Sequence, residues 1–262
     1  MTYGGEWIMH KPAIQEFAVT KFHQLFSEEP MFFPPRLENL IPHSITDEEN
    51  ESICLPLSPF EIKQTIFGMQ NLKAPGPDGL PPLFYKKYWP IVDDAITKAI
   101  QNFFRTGHLL SEVNNSLIVL IPKINTLSSI NHFRPISLCS TVYKAIAKIL
   151  VSRLCLLLDK LISPCQSAFI PGCWITENQL IVQEILHSFK RRKVKGGFVA
   201  MKIDLQKAYD RVNWSFLRAV LKGFGFNAKF SNWLLQSVST VSFFVLTNGG
   251  KSKSFLPTKG IR

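Results

Sequence analysis

The apolar positions change period along the chain, and each change marks an element. Ser58-Pro59-Phe60-Glu61 places Ser at an N-cap, Pro at N1 and Glu at N3, which predicts a capping box and a helix start. Ile62, Ile66 and Met69 then follow at helical spacing. Lys73-Ala74-Pro75-Gly76-Pro77-Asp78-Gly79 is too rich in Pro and Gly for helix or strand and predicts an ordered loop. A helical stretch from Pro82 to Arg105 is expected to break at Pro90, near Trp89, and to stop at Gly107. The unbroken run Leu117-Ile118-Val119-Leu120-Ile121, ended by Pro122, predicts a buried strand. Val142, Ile146, Ile149, Leu150, Leu154 and Leu157 form the stripe of a further helix, and another is expected over Thr176 to Phe189.

Beyond the basic run from Lys190 to Lys195 and the Gly196-Gly197 pair, Phe198 to Ile203 predicts a strand that delivers Asp204 at its end. Asn213 is a helix cap for Trp214 to Lys222, with Gly223 as the stop, and a helix over Ala228 to Val238 follows. Val241 to Leu246 and Ser252 to Leu256 flank Asn248-Gly249-Gly250, a hairpin signal. Residues 1–50 are mixed, with a Pro-rich break at Phe33-Pro34-Pro35 and an acidic patch at Asp47-Glu48-Glu49, and predict a loosely packed lead-in. The fold class expected is α+β and helix-rich.

Composition narrows the function. An apolar share of 46% is that of a folded chain with a sizeable core. The formal charge of +11 predicts an anionic partner, most simply nucleic acid. No apolar run is long enough to span a membrane, so no membrane partner is expected. Cys54, Cys139, Cys155, Cys165 and Cys173 are odd in number and never spaced as CxxC. They predict reduced thiols in an intracellular protein, with nucleus or cytoplasm undecided.

Several residues carry candidate chemistry. Asp204 at a strand end is either a surface turn or cap, or a ligand for a divalent cation. Asp210 is a candidate to cap or orient the following helix. Lys123, just past the buried strand, and Arg134 are either solvated cations or a pair that grips phosphates. Tyr209 is either core or one wall of a pocket. The Gly76–Gly79 loop lacks the GK[ST] ending of a P-loop, and Rossmann, HExxH and GxSxG signatures are absent.

Five segments in order resemble the reverse transcriptase of LINE-type (non-LTR) retrotransposons, most closely the plant kind. They are residues 72–80 (LKAPGPDGL), Leu120-Ile121-Pro122-Lys123 leading to Phe133-Arg134-Pro135-Ile136-Ser137-Leu138, residues 166–172 (QSAFIPG), residues 202–212 (KIDLQKAYDRV), and Gly260-Ile261-Arg262. The resemblance implies a right-hand polymerase fold after a lead-in at 1–56, with fingers over 57–195 and a partial palm over 196–262. It implies RNA-directed DNA synthesis from an RNA template, a DNA primer and dNTPs, with Mg2+ as cofactor in a two-metal mechanism. Asp204 resembles the first metal-binding carboxylate, with the Leu205 carbonyl also facing a metal. Lys123 and Arg134 resemble the residues that hold the triphosphate, and Tyr209 the gate beneath the sugar. Gln166, Phe169 and Gly172 resemble template contacts.

The chain departs from the pattern at the family's later Ala-Asp-Asp hairpin. Asp-Asp occurs only at Asp93-Asp94, nothing after Asp210 is acidic, and the Gly-Ile-Arg segment stops at Arg262. The expectation is a chain truncated before its second carboxylate motif and inactive alone. Its incomplete palm sheet would leave Phe198–Ile203 and the 241–256 hairpin exposed. The alternative is a non-catalytic, basic nucleic-acid-binding remnant.

Overall fold

In the computed structural model of the chain, the described residues are 2–3, 6–28, 40–191 and 197–261. The Phe33-Pro34-Pro35 break, the Arg192–Gly196 part of the basic turn and Arg262 lie outside them. Two short strands, β1 (Thr2–Tyr3) and β2 (Glu6–Trp7), precede α1 (Lys11–Leu25) and α2 (Asp47–Ile53). Then come α3 (Pro59–Phe67), α4 (Pro82–Lys87), α5 (Trp89–Thr106), β3 (Asn115–Pro122) and β4 (Phe133–Cys139). Four helices follow: α6 (Thr141–Cys155), α7 (Leu158–Leu161), α8 (Ile175–Arg191) and α9 (Trp214–Phe224). The last elements are α10 (Ala228–Ser239), β5 (Ser242–Thr247) and β6 (Gly250–Lys251). Mixed helix and sheet agrees with the α+β class.

The sheet has the order β4-β3-β5-β6, so the apolar run at 117–121 is an inner strand. β3 runs antiparallel to β4 and parallel to β5. Alternate residues bury one face: Ser116 and Ile118 on β3, Phe243 and Val245 on β5. Pro135, which has no N–H to donate, sits on the edge strand β4. The helices enclose a larger core around Ile62, Ile100, Phe103, Ile146, Ile149, Phe230 and Trp233.

Several local expectations hold. The helix breaks between Lys87 and Trp89, and Gly107 ends α5 in the left-handed region at φ 72°. Asn248 (φ 47°) and Gly249 (φ 73°) are both left-handed, as a two-residue hairpin turn requires.

Others are corrected. Among the described residues the lead-in is not loosely packed. Ala18, Phe22 and Phe26, spaced four apart, cover the sheet with Ile118, Phe243, Val245 and Phe255, and the Phe26 and Phe243 rings stack at 5.0 Å. Ser58 does accept the Glu61 N–H at 3.1 Å, but the Glu61 carboxylate turns to Arg153, 3.3 Å away. The reciprocal capping box forms at Thr46 and Glu49 instead. α9 runs through Gly223 and stops at Gly225, whose φ of 91° supplies the left-handed turn. Gly223 serves packing: a Cβ there would lie 3.0 Å from the Ile41 side chain.

Phe198–Ile203 is not a strand, and it joins no ladder among the described residues. Its residues alternate on no single buried face, and Val199 and Ile203 are 89% and 77% exposed. The 241–256 hairpin is packed rather than exposed: β5 takes β3 as a neighbour, and Phe243 and Phe255 exchange backbone hydrogen bonds at 2.9 Å.

Candidate nucleotide and nucleic-acid site

Residue pairing on β3 and β4 decides where Lys123 and Arg134 stand. Ile121 pairs with Arg134, and the Lys123 N–H donates to the His132 carbonyl at 2.8 Å two pairs further on. Side chains alternate along a strand, so Lys123, Ile121 and Arg134 share one face, with Lys123 diagonal to Arg134. That face is opposite the one α1 covers, and both cations are exposed. The Lys123 ammonium donates to the Asn131 carbonyl at 3.0 Å, which holds it beside the strand end. Neither cation meets a carboxylate among the described residues. The arrangement suits an anion: a planar guanidinium fork beside a compact ammonium.

Asp204 and Leu205 lie on the exposed, irregular segment before residue 209. The motif becomes ordered only at its far end. Tyr209–Arg211 is a 3-10 turn, and the Asn213 side chain accepts the Phe216 N–H at 3.0 Å as the cap of α9. Asp210 therefore does not cap this helix, a correction that follows from the chain reaching N-cap geometry only at Asn213. Residues 258–261 clamp the motif from outside. The Gly260 N–H donates to Val212 at 2.7 Å, Ile261 to Tyr209 at 2.9 Å, and the Trp214 indole to Gly260 at 2.8 Å. Burial raises the Asp210 carboxyl above its ordinary value, and nearby Lys207 opposes the shift in part.

The third motif meets the fourth through aromatic rings. Phe169 and Tyr209 pack edge to face at 6.1 Å, and both are exposed. Phe169 is left-handed at φ 64°, a strained state for a bulky residue, and Gly172 is left-handed at φ 82° with open space about it. Gln166 folds back, its amide donating to Ala168 at 3.2 Å. The structure thus joins Lys123 with Arg134, and Phe169 with Tyr209. No described hydrogen bond or ion pair links Asp204 to either group.

The loop at 73–80 carries contacts that sequence reasoning missed. Gly76 lies on the β4–α6 junction so closely that a Cβ would stand 2.3 Å from the Ser140 nitrogen. The Thr141 hydroxyl donates to Leu80 at 2.8 Å and the Lys144 ammonium to Ala74 at 2.6 Å. Burial lowers the Lys144 pKa, and neighbouring Lys73 adds to the effect, while Cys139 and Asp78 act against it. The available signal was Gly between two prolines, a mark of close backbone approach.

A two-ion magnesium centre needs converging carboxylates. Among the described residues no three of His, Cys, Asp and Glu gather as ligands. Asp204 offers one carboxylate on an unpaired segment. The residues present do not fit a two-magnesium centre, so no catalytic step is derived through one. No described helix is long and apolar enough to cross a membrane.

The profile of the family described as reverse transcriptase (RNA-dependent DNA polymerase) matches residues 121–262, more than half of the chain. The chain is similar to the Transposon TX1 uncharacterized 149 kDa protein of Xenopus laevis, 28% identical over 95% of this chain and 19% of that protein. It is similar to the retrovirus-related Pol polyprotein from type-2 retrotransposable element R2DM of Drosophila melanogaster, 27% identical over 72% of this chain and 17% of that protein. A Pol polyprotein from type-1 retrotransposable element R2 of Bradysia coprophila is 31% identical over 64% of this chain and 18% of its own length. The chain thus spans about a fifth of the length of the curated relatives it matches. The chain belongs to the reverse transcriptase family, with its homologues among the non-LTR retrotransposons.

Proposed function

We propose that the chain is the nucleotide-gripping and template-contacting part of an RNA-directed DNA polymerase of a non-LTR retrotransposon. The observation that carries this is the diagonal placement of Lys123 and Arg134 on one exposed, carboxylate-free sheet face. The Arg134 fork suits two oxygens of a dNTP triphosphate and Lys123 a third. Tyr209 stands beneath the sugar and disfavours a 2′-hydroxyl by its bulk. Gln166, Phe169 and Gly172 meet the RNA template, and the DNA primer end approaches Asp204 and the Leu205 carbonyl. In this division 57–195 form the fingers and 196–262 part of the palm. Mg2+ is the family's cofactor, and it would supply charge neutralisation that Asp204 alone does not. The second reading, a basic nucleic-acid-binding chain without catalysis, is favoured by the isolation of Asp204.

A dNTP titration of the full chain separates the two. Arg134→Gln and Lys123→Gln are each expected to weaken dNTP binding roughly 10- to 100-fold, the worth of a charge-assisted hydrogen bond. Primer extension by the chain alone is expected to be absent under both readings. A dNTP affinity unchanged in both variants would remove the nucleotide-gripping role and leave the second reading.

A further inference from the structure

The face that carries Lys123 and Arg134 extends across all four strands and ends on a third cation. Successive register partners run Ile136, Val119, Leu246 and Lys251, one from each of β4, β3, β5 and β6. Val119 shares its face with Ile121 and hence with Arg134, so the whole row lies on the same side. Phe244 flanks the row on β5, and the Lys251 ammonium stands 3.6 Å from its ring centroid. Ile121 and Ile136 are 43% and 46% exposed, and Val119, Phe244 and Leu246 are half-buried. None of these five belongs to either hydrophobic core. No acidic residue occurs anywhere from Val113 to Leu158 or after Asp210, so every strand of this sheet is free of carboxylates.

We propose that this open face is a platform for single-stranded nucleic acid, with Lys251 as a phosphate contact beyond the Lys123–Arg134 pair. The proposal rests on the polymerase reading above and adds to it a residue and a surface. Strands are about 4.8 Å apart, so β4 and β6 are separated by about 14 Å. Cations spread that far match a polyanion better than one triphosphate, and the apolar row between them offers bases a floor. The ring of Phe244 keeps the Lys251 ammonium on this face by cation–π attraction. The occupant is a single strand because apolar side chains meet bases only when the bases are unpaired.

The test is fluorescence anisotropy of a labelled single-stranded oligoribonucleotide with the full chain over a salt series. Lys251→Gln is expected to weaken binding and to reduce the slope of log K against log salt by about 0.7, one phosphate contact on a single strand. Its dNTP affinity should match that of the unsubstituted chain. Lys98→Gln, on the exposed face of α5 and paired with Asp94, serves as the charge control and should change neither. An unchanged slope for Lys251→Gln, or an equal loss for Lys98→Gln, would overturn the platform. Loss with Arg134→Gln but not Lys251→Gln would overturn the platform alone and leave the polymerase reading standing. No salt-dependent RNA binding by the unsubstituted chain would remove both.

Discussion

Gly76 lies where any side chain collides with backbone: a Cβ would be 2.3 Å from the Ser140 nitrogen and 2.5 Å from the Cys139 carbonyl carbon. Gly76→Ala must therefore push the 73–80 loop off the start of α6. Denaturant unfolding should show a loss of about 1–3 kcal/mol, the usual cost of overpacking. An unchanged midpoint would mean the loop is not seated there. Asp210 gives a pH signature. Its folded carboxyl titrates above its ordinary value because burial disfavours the charge. A raised folded value means that its contribution to stability is fully present below the unfolded value and is lost as pH rises through the folded one. Asp210→Asn should thus raise the thermal midpoint near neutral pH and matter least at about pH 4. A variant less stable than the unsubstituted chain at neutral pH would contradict this.

Elements tell how the parts of the chain depend on one another. α1 lies outside residues 121–262, the part that the reverse transcriptase profile matches, yet it supplies the cover for the buried face of the sheet. Phe22→Ala should lower stability by about 3–5 kcal/mol and melt sheet and helices together, as one cooperative unit. A separate early transition, or no change, would mark α1 as an independent appendage. The elements read correctly from sequence were those with a strong local signal. Ser58, Asn213, Gly107 and the Asn248-Gly249 turn each set backbone geometry within a few residues. The strand expected at Phe198–Ile203 failed because a strand exists only through a neighbour, and local composition cannot supply one. The same limit hid β4: its identity depends on β3 being in register with it.

The whole molecule is unevenly finished. Two hydrophobic cores form, while α8 and residues 198–205 turn Leu180, Ile181, Val182, Val199, Met201, Ile203 and Leu205 to solvent. Surface of this kind promotes association. Val199→Lys with Ile203→Lys should lower concentration-dependent light scattering and move the thermal midpoint by no more than the change of about 0.5 kcal/mol typical of surface sites. Equal scattering by both forms would place the sticky surface elsewhere. The charge of +11 is uneven as well, and the carboxylate-free sheet is its clearest local expression.

The amino-acid sequence by itself determined the helix caps at Ser58 and Asn213, the stop at Gly107, the hairpin turn and the family. Caps, glycine conformations and ordered motifs are written in neighbouring residues. It also held Asp204, Lys123, Arg134 and Tyr209 as candidates, by residue type and motif. Only the tertiary structure decided which of them meet. Strand register put Lys123 and Arg134 on one face and added Lys251 from a strand more than 100 residues away. Packing between motifs set Phe169 against Tyr209. Sequence spacing determines the face of a strand, but the partner across the ladder is set by hydrogen bonds between distant segments. For the same reason Asp204 joins no metal centre: a carboxylate gains its partners from other segments, and the described ones gather no group of three ligands.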